Sequence, residues 1–545
     1  MFFNKQGNSV IYVTRDLERA LGLPLDTKGY YIISNYSSFA KSLTKGQKNV
    51  LLVKHLQALD TRELLMLPVV KRFINKIENP NILVFKNTTQ IEKVCRENKW
   101  RLLNPSAILS AQVEEKVAGT EWLGPLGRYL PPHEIIECGK VKWKGERFVL
   151  QFNRAHTGGG TFLIESGMQL DALKKKFPVR PVRITKFVVG PALTNNNVVW
   201  GDRVLIGNIN YQITGLKPFT NLPFATIGND WALPHKLLSS QQIKEYLKIV
   251  GDVGGRLAKF GWQGLFGIDV IIDSKTGKLC LIEINARQPA STTYESQLQS
   301  RKNKKGLTIF VAHLSALLGE KYKNQKLIEI KDGAQVVQKI VPVEKAVDNK
   351  LLRYNINKFR KDGWGVYWYD NSEAEKDWLR MQSKVGVMSE HNILNKQGML
   401  AMFFGLAAIQ GKYWNSNRVG AIIVKDDRVL LFRRHRYGSD YYVFPGGTVE
   451  PGEKLLPALH REIEEETGLK VVVIKKKPMI IQDTGRKEYY FLAKIKSGVL
   501  GLGGEEKVRH SSDNSYVLEW VEIKCLPKIV FSHPGINRLV LKLLS

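Results

Sequence analysis

Short apolar runs and amphipathic segments alternate along the first 118 residues. The apolar runs predict strands at residues 10–13, 30–33, 49–53 and 82–85. The segments with helical spacing predict helices at residues 16–21, 64–77 and 91–98. Alternating strands and helices are typical of a parallel sheet with helices on its faces. We interpret residues 1–118 as a supporting lobe, because no phosphate-loop glycine pattern occurs in them.

Residues 119–345 combine longer strands with loops rich in glycine and polar residues. The predicted strands are residues 147–153, 162–164, 183–190, 264–273 and 278–287. The first two flank a glycine-rich loop, and the last two are joined by a tight turn. Helical spacing predicts an amphipathic helix at 241–260. Residues 208–229 are interpreted as an irregular polar loop.

Residues 346–412 are interpreted as a connecting region without a catalytic constellation. An aromatic strand is predicted at 363–369 and a helix at 373–383. The apolar segment 399–409 predicts a buried helix, since it is shorter than the ~20 residues that a membrane helix needs.

Residues 413–545 begin with a hairpin pattern around Lys425–Asp427. The predicted strands are 418–424, 428–433, 470–474, 488–492 and 516–520. A helix is predicted at 454–467, with Gly468 as its stop signal. Glu505 and Glu506 lie on a glycine-rich loop and are candidates for a catalytic base, although a solvated turn is the simpler interpretation.

Charge and length change this picture only in part. The chain has 545 residues, which predicts three or four domains at roughly 100–200 residues each. It carries 82 Lys and Arg against 51 Asp and Glu, a formal net charge of +31, which favours anionic partners such as nucleotides. Nucleic acid is an alternative partner, but no nucleic-acid-binding motif occurs in the sequence.

The cysteines and the first residues suggest a cytoplasmic location. None of the 4 cysteines has a spacing typical of a metal or redox site, which fits reduced thiols. The N-terminus shows no signal-peptide pattern. We therefore expect a cytoplasmic protein without a membrane role.

The predicted helix at 454–467 carries a cluster of acidic residues. Glu462, Glu465 and Glu466 are spaced i, i+3 and i+4, so their carboxylates share one face. Three like charges repel one another, and a hard divalent cation among them would make the arrangement favourable. Arg461 could hold one carboxylate by a bidentate ion pair.

This segment resembles the Nudix box. The matching positions are Gly447, Glu453, Arg461, Glu462, Ile463, Glu465, Glu466, Gly468 and Leu469. The resemblance implies Mg²⁺ or Mn²⁺ bound by Glu462, Glu465 and Glu466, with Glu453 as an additional carboxylate. It also implies hydrolysis of a diphosphate bond in a nucleoside diphosphate linked to another group.

The predicted hairpin at 264–287 carries a second set of oxygen donors. Asp269 lies on its first strand, and Glu283 and Asn285 share a face of the second strand. Two carboxylates and an amide oxygen suit a hard cation. Arg287 follows on the same face and could hold a phosphate.

Together with the glycine-rich loop, this hairpin resembles the ATP-grasp superfamily. The resemblance implies ATP bound between two lobes and Mg²⁺ on Asp269, Glu283 and Asn285. The nucleotide-binding residues implied are Lys116, Gln151, Arg154, His156, Gly158, Gly159, Gly160 and Lys186. A carboxylate substrate would receive the γ-phosphoryl group, and an amine or thiol would then attack the acylphosphate.

One position departs from the ATP-grasp pattern. The family usually has a lysine on the strand before the glycine loop, where this chain has Gln151. A neutral amide stabilises a phosphate less than an ammonium does. Arg154 or His156 could replace the missing charge; otherwise the domain would bind nucleotide without ligating a substrate.

The sequence thus predicts a multidomain α/β and α+β protein. An α/β lobe at 1–118 precedes a two-lobed ATP-grasp fold at 119–345, a connection at 346–412 and a Nudix α/β/α sandwich with a mixed sheet at 413–545. The predicted function is that of a bifunctional ligase and hydrolase. The alternatives are a nucleotide-sensing ATP-grasp domain that regulates the hydrolase and a nucleic-acid-associated protein.

Overall fold

The computed structural model shows two compact units. It describes residues 9–153, 160–322, 325–341, 349–369, 371, 373–409, 417–436, 439–450, 453–483, 486–511, 514–531 and 536–544. The first unit comprises Met1–Glu344 and Arg360–Leu406, and the second comprises Lys345–Phe359 and Ala407–Ser545. Within the described ranges, no helix is long and apolar enough to cross a membrane.

The first unit begins with a parallel sheet in the order β3-β2-β1-β4-β5. Its strands are β1 (Ser9–Val13), β2 (Tyr30–Asn35), β3 (Val50–Val53), β4 (Pro80–Val84) and β5 (Arg101–Leu102). The helices are α1 (Ser38–Leu43), α2 (Thr61–Met66), α3 (Pro68–Asn75), α4 (Thr89–Glu97) and α5 (Ala107–Glu114). Apolar cores cover both faces of the sheet, as the alternating pattern predicts. Leu17–Ala20 forms a 3₁₀ turn.

A small antiparallel lobe follows, with strand order β6-β9-β7-β8. Its elements are α6 (Lys116–Leu123), β6 (His133–Glu137), β7 (Phe148–Phe152), β8 (Thr161–Ile164), α7 (Gly167–Lys176) and β9 (Pro181–Lys186). Apolar side chains of these strands pack against α7. Strands β7 and β8 flank the glycine-rich loop, as predicted.

The largest sheet has the order β15-β14-β10-β12-β13-β16-β18-β17, with β11 beside β10. Its strands are β10 (Ala192–Trp200), β11 (Arg203–Leu205), β12 (Asn210–Thr214), β13 (Thr226–Asp230), β14 (Gly264–Ile272), β15 (Leu279–Asn285), β16 (Ala334–Lys339), β17 (Gly365–Trp368) and β18 (Asp377–Ser383). The remaining elements of this region are α8 (Pro234–Leu237), α9 (Ser240–Lys259), α10 (Thr292–Lys302), α11 (Ile309–Leu317), β19 (Met388–Glu390), β20 (Ile393–Leu394) and α13 (Lys396–Ile409). Helix α12 (Asn349–Lys361) belongs to the second unit as far as Phe359.

Two expectations about this sheet are wrong. The helix predicted at 373–383 is instead strand β18, which lies between β16 and β17. Its side chains are buried on both faces, which removes the alternation that marks a half-exposed strand. The loop predicted at 208–229 contains β12 and the start of β13. Polar residues such as Asn210 and Asn229 are typical of loops, so the sequence did not predict these strands. In the structure, the amide of Asn229 donates to Oδ1 of Asn210 across the sheet.

The second unit is built on a mixed sheet with the order β23-β22-β21-β26-β24. Strand β25 pairs with β26 and β27 pairs with β22, and β21 runs parallel to β26. The elements are β21 (Arg418–Lys425), β22 (Arg428–Arg436), β23 (Ser439–Val443), α14 (Leu455–Thr467), β24 (Leu469–Val473), β25 (Met479–Asp483), β26 (Arg486–Gly498), α15 (Gly504–Arg509), β27 (Asn514–Glu522) and α16 (Ile536–Leu544). Apolar side chains of α14 and α16 belong to two separate cores of this unit, which gives an α/β/α sandwich.

Local sequence fixes the position of α14. Gly468 adopts φ 70° at its C-terminus, the left-handed conformation that glycine adopts without strain.

Asp426 and Asp427 also have positive φ, of 47° and 56°, in the turn between β21 and β22. That turn is the tight hairpin that the sequence predicts.

Candidate active sites

A glycine turn before α14 receives two of its carboxylates. The N–H of Gly446 donates to Oε2 of Glu466 at 2.7 Å. A Cβ atom built on Gly447 would lie 1.9 Å from Oε2 of Glu462. The residue at 447 must therefore be glycine for Glu462 to keep this position, and both carboxylates pack directly against the backbone.

Arg461 fixes the other side of this cluster. Its Nε and Nη2 donate to the two carboxylate oxygens of Glu453 at 3.1 and 3.0 Å, a bidentate pair. Its Nη1 donates to Glu462 at 2.9 Å and to Glu465 at 3.4 Å. The arginine therefore orients the carboxylates, as its position in the sequence suggests.

Burial sets the charge state of the cluster. Burial, the charge of Glu506 and that of Glu462 together raise the pKa of Glu466 to about 8, although Arg418 opposes them. Burial also raises the pKa of Glu462. The hydrogen bonds from Arg461 lower the pKa of Glu453. The cluster therefore contains one ionised outer carboxylate and one inner carboxyl group that readily keeps its proton.

Two residues of this cluster were missed or underrated by sequence reasoning. Arg418, at the start of β21, donates to the carbonyl oxygen of Phe444 at 3.1 Å and acts on Glu466 and Glu462 through its charge. No motif spacing marks it. Glu506, on α15, raises the pKa of Glu466, which places it beside the cluster rather than in a distant solvated turn.

The hairpin of β14 and β15 forms the second candidate site. Asp269 and Glu283 are directly opposite each other in the register of the two strands. Thr194 donates to Oδ1 of Asp269 at 2.6 Å, and the amide of Asn285 donates to Oδ2 at 3.2 Å. Burial and the charge of Glu283 raise the pKa of Asp269 to about 6. The predicted donors therefore lie together on one face of the sheet.

Cations from other elements surround this pair. Nζ of Lys116, at the start of α6, lies 3.1 Å from Glu283. Arg287 forms an ion pair with Glu114, which also contacts Lys86 at 2.7 Å. Burial disfavours ionisation of Glu283, but Lys116 and Arg287 outweigh it, and the net effect lowers the pKa of Glu283. Of these residues, Glu114, Lys116 and Glu283 line a cavity of about 20 Å³, the size of about one water molecule.

Gln151, the position that departs from the family pattern, binds an arginine. Its Oε1 accepts from Nε and Nη2 of Arg183 at 3.1 and 2.6 Å. The two residues face each other on β7 and β9. The sequence analysis did not select Arg183, because no motif links it to Gln151.

The remaining predicted nucleotide-binding residues have different outcomes. Arg154, His156, Gly158 and Gly159 lie outside the described residues. Gly160 accepts a backbone hydrogen bond from Phe152 at 2.9 Å. Lys186 is exposed at the end of β9, where its charge helps to lower the pKa of Asp273, after the backbone N–H of Lys275.

The two units are similar to different known proteins. The NUDIX domain model matches residues 414–534. The ADP-ribose pyrophosphatase of Methanocaldococcus jannaschii is 33% identical over 119 residues, which are 22% of this chain and 68% of that protein. The chain belongs to the Nudix family. The 8-oxo-dGTP diphosphatase of Buchnera aphidicola is 31% identical over 122 residues, 22% of this chain and 87% of that protein, within the same Nudix part.

The first unit has a solved structural counterpart. The carboxyaminoimidazole ribonucleotide synthase of Aspergillus clavatus, complexed with ATP, superposes with a TM-score of 0.51 and 15% sequence identity. The match covers 74% of this chain and 100% of that chain. The predicted ATP-grasp fold ahead of the Nudix domain is thereby confirmed. At this identity the likeness concerns the fold alone.

The donors of the Nudix site fit a divalent cation. Burial, with the charges of Glu506 and Glu462, raises the pKa of Glu466, and a hard cation would favour its ionised carboxylate. The third predicted ligand, Glu465, is 55% exposed and contacts Arg461. Over the described ranges, no three His, Cys, Asp or Glu side chains already converge on one point. A complete ligand shell therefore requires Glu465 to leave Arg461.

The hairpin site also fits a cation in its donor chemistry. Asp269 and Glu283 face each other, and Asn285 contributes an amide beside them. Nζ of Lys116 lies 3.1 Å from Oε1 of Glu283. A cation bound at Glu283 would share the two oxygens of this carboxylate with the ammonium of Lys116.

Proposed function

We propose that the Nudix unit hydrolyses a diphosphate bond in a nucleoside diphosphate linked to another group. The observation that carries the proposal is the packing of Glu462 and Glu466 against the Gly446–Gly447 turn, with Arg461 fixing the outer carboxylates. This arrangement fits a divalent cation better than a structural role, since raised carboxyl pKa values cost stability in its absence.

Each residue of the cluster has a role in this proposal. Glu462, Glu465 and Glu466 hold Mg²⁺ or Mn²⁺, which when bound polarises phosphoryl oxygens and activates a water. Arg461 keeps Glu453 and Glu462 in position. Glu506 can accept a proton near Glu466. Arg418 balances the negative charge that the cluster retains.

A substrate panel tests the hydrolase. We expect the full-length chain with Mg²⁺ to hydrolyse at least one of ADP-ribose, 8-oxo-dGTP and related nucleoside diphosphate derivatives, measured by chromatography of the products. Chelation of the metal should stop the reaction. Lack of hydrolysis across the panel with both Mg²⁺ and Mn²⁺ would contradict the proposal.

For the first unit, we propose an ATP-dependent ligase that joins a small carboxylate to an amine or thiol. Asp269, Glu283 and Asn285 hold Mg²⁺, and Lys116 and Arg287 contact phosphate groups. The facing carboxylates with cations on both sides support this proposal. ATP is the phosphoryl donor to the carboxylate, and the chain contributes positioning and charge neutralisation.

The domain boundaries proposed for the two activities are those that the sequence predicts. Residues 1–118 and 119–345 form the ligase with its preceding lobe, 346–412 connects, and 413–545 is the hydrolase. Strands β17 and β18 of the connection extend the largest sheet, so they support the ligase part.

Release of ADP and phosphate distinguishes a ligase from a nucleotide sensor. We expect full-length protein with MgATP and a panel of small acids plus amines or thiols to release phosphate only when an accepted acid is present. Tight MgATP binding without release for any acid would favour the sensor. Steep, salt-dependent RNA or DNA binding would favour the nucleic-acid alternative.

A further inference from the structure

Arg183 carries a buried positive charge that no carboxylate neutralises directly. Only 5% of the residue is exposed. Its hydrogen-bond acceptors are Oε1 of Gln151 and Oγ1 of Thr120, both neutral. In the part of the chain that the structure describes, no Asp or Glu lies within ion-pair distance of it. Burial accordingly lowers the pKa of Arg183 to about 10.

Two other arginines of the same unit, the buried Arg380 and the half-buried Arg287, are paired differently. Arg380 lies 3.4 Å from Asp377, and Arg287 forms an ion pair with Glu114. An unpaired charge in a protein interior is strongly destabilising, whereas a paired one is tolerated. Arg183 therefore costs stability that the other two arginines do not, and such a cost is typical of a functional site.

The location of Arg183 indicates what could pair with it. It lines the same small cavity as Lys116 and Glu283. Burial raises the pKa of Glu283. The charges of Lys116 and Arg287 lower it, and the charge of Arg183 adds a smaller effect in the same direction. The guanidinium is thus part of the charge cluster around the hairpin donors, and an anion entering that cluster would be its natural partner.

The bond with Gln151 sets the direction of the guanidinium. Gln151 is held in turn by Thr161, to whose Oγ1 its amide donates at 3.2 Å. Nε and Nη2 of Arg183 are committed to Gln151, while Nη1 is 3.3 Å from Thr120. A lysine at 151 would repel this arginine, so a neutral amide at 151 and a cation at 183 form a compatible pair.

We propose that Arg183 binds the phosphate groups of ATP, supplying from β9 the positive charge that Gln151 does not supply from β7. Gln151 is a positioning residue that orients it. This inference rests on the proposed nucleotide binding of the first unit. It explains both the neutral residue at 151 and the unpaired charge at 183.

Calorimetric titration of the full-length chain with MgADP and MgATP tests the inference. Arg183→Gln should weaken binding by about tenfold or more, because a charged hydrogen bond to phosphate is lost. Arg183→Lys should retain part of the affinity. The exchange Gln151→Lys with Arg183→Gln should recover binding, since it moves the charge to the neighbouring strand. Arg147→Gln, at an exposed position before β7, is the matched control and should bind as the original chain does.

Thermal unfolding without nucleotide separates this role from a structural one. Arg183→Met should leave the melting temperature unchanged or raise it, since it removes an unpaired buried charge. A lower melting temperature together with unchanged affinity in Arg183→Gln would overturn the inference. If the original chain binds neither nucleotide, the proposed nucleotide site itself fails, whereas binding that survives Arg183→Gln but not Lys116→Gln refutes only the role of Arg183.

Discussion

The two carboxylate clusters differ in how the chain brings them together. In the Nudix unit, Glu462, Glu465, Glu466 and Arg461 lie on one helix and meet through helical spacing. In the first unit, Asp269 and Glu283 meet across a hairpin, and their cations come from α6, β9 and the segment after β15. A local cluster can be recognised from spacing, whereas a distributed one depends on the fold.

The clusters also differ in electrostatics. Burial and neighbouring carboxylates raise the pKa of Glu466 to about 8, although Arg418 and the N–H of Gly446 oppose them. In the hairpin site, burial opposes ionisation of Glu283 but Lys116 and Arg287 lower its pKa. Arg461 and Arg418 offset the first cluster only in part, since the pKa of Glu466 stays raised, whereas Lys116 and Arg287 outweigh the burial of Glu283 in the second. We infer that a metal ion supplies the missing positive charge in the first cluster, and that the cations of the second serve phosphate groups beside the proposed Mg²⁺.

The largest expected effect is on the Nudix cluster. Glu466→Gln and Glu465→Gln should each lower hydrolysis by about a thousandfold or more, since several kcal/mol of metal-dependent stabilisation would be lost. MgATP binding by the other unit should not change. Initial rates on the best panel substrate measure the effect, and Glu464→Gln on the same helix, which pairs only with Lys470 in a described contact, is the control. Full activity in both variants would refute the assigned metal site.

A smaller effect is expected at the hairpin. Asp269→Asn should weaken MgATP binding by about ten- to a hundredfold, because a charged cation ligand becomes neutral. Nudix hydrolysis should stay unchanged, which tests whether the two clusters act separately. Calorimetry measures the affinity, and Asp171→Asn, with its 67% exposed side chain on α7, serves as the control. Equal losses in both variants would contradict a specific role for Asp269.

A substitution in the glycine turn should lower the rate of hydrolysis by about tenfold. Gly447→Ala places a Cβ atom 1.9 Å from the carboxylate of Glu462 and should displace it. Hydrolysis should fall while the Nudix domain loses about 1–3 kcal/mol of stability. Gly501→Ala, where no atom lies within 4 Å of the added Cβ, should change neither quantity. An active Gly447→Ala variant would show that Glu462 can work from another position.

The smallest effect on activity is expected at Glu295, a buried carboxylate on α10 that belongs to neither motif. Burial raises its pKa to about 7, while Asn196 and Asn208 donate to it. The folded state thus binds a proton more tightly than the unfolded state, in which the pKa of a glutamate is near its ordinary value of 4.5. This contribution to stability is present at low pH and is lost as the pH rises through about 7.

Glu295→Gln should therefore remove this pH dependence and raise the melting temperature at pH 8, with or without Mg²⁺. In the Nudix unit, Mg²⁺ should raise the melting temperature of the original chain but not of Glu466→Gln. Calorimetric scans at several pH values measure both responses. A Mg²⁺ response that depends on Glu295 would contradict the distinction between a structural carboxylate and a metal ligand.

The fold could be predicted where local patterns agree with tertiary structure. The parallel sheet of the first lobe, the hairpin at Asp426–Asp427 and helix α14 follow from periodicity and turn residues. Strand β18 could not be predicted, since burial on both faces erased its alternation. Strand β12 could not be predicted because Asn210 is of a residue type typical of turns; in the structure its Oδ1 accepts a hydrogen bond from Asn229 across the sheet.

The sequence by itself placed Glu462, Glu465, Glu466 and Arg461 together on one helix, because residues three and four apart share a helix face whatever the rest of the chain does. It marked Gly447 through the resemblance to the Nudix box. Only the tertiary structure brought Arg418 and Glu506 to that cluster and Arg183 to Gln151. These contacts join segments far apart in the chain, and their distances are set by strand register and packing rather than by spacing.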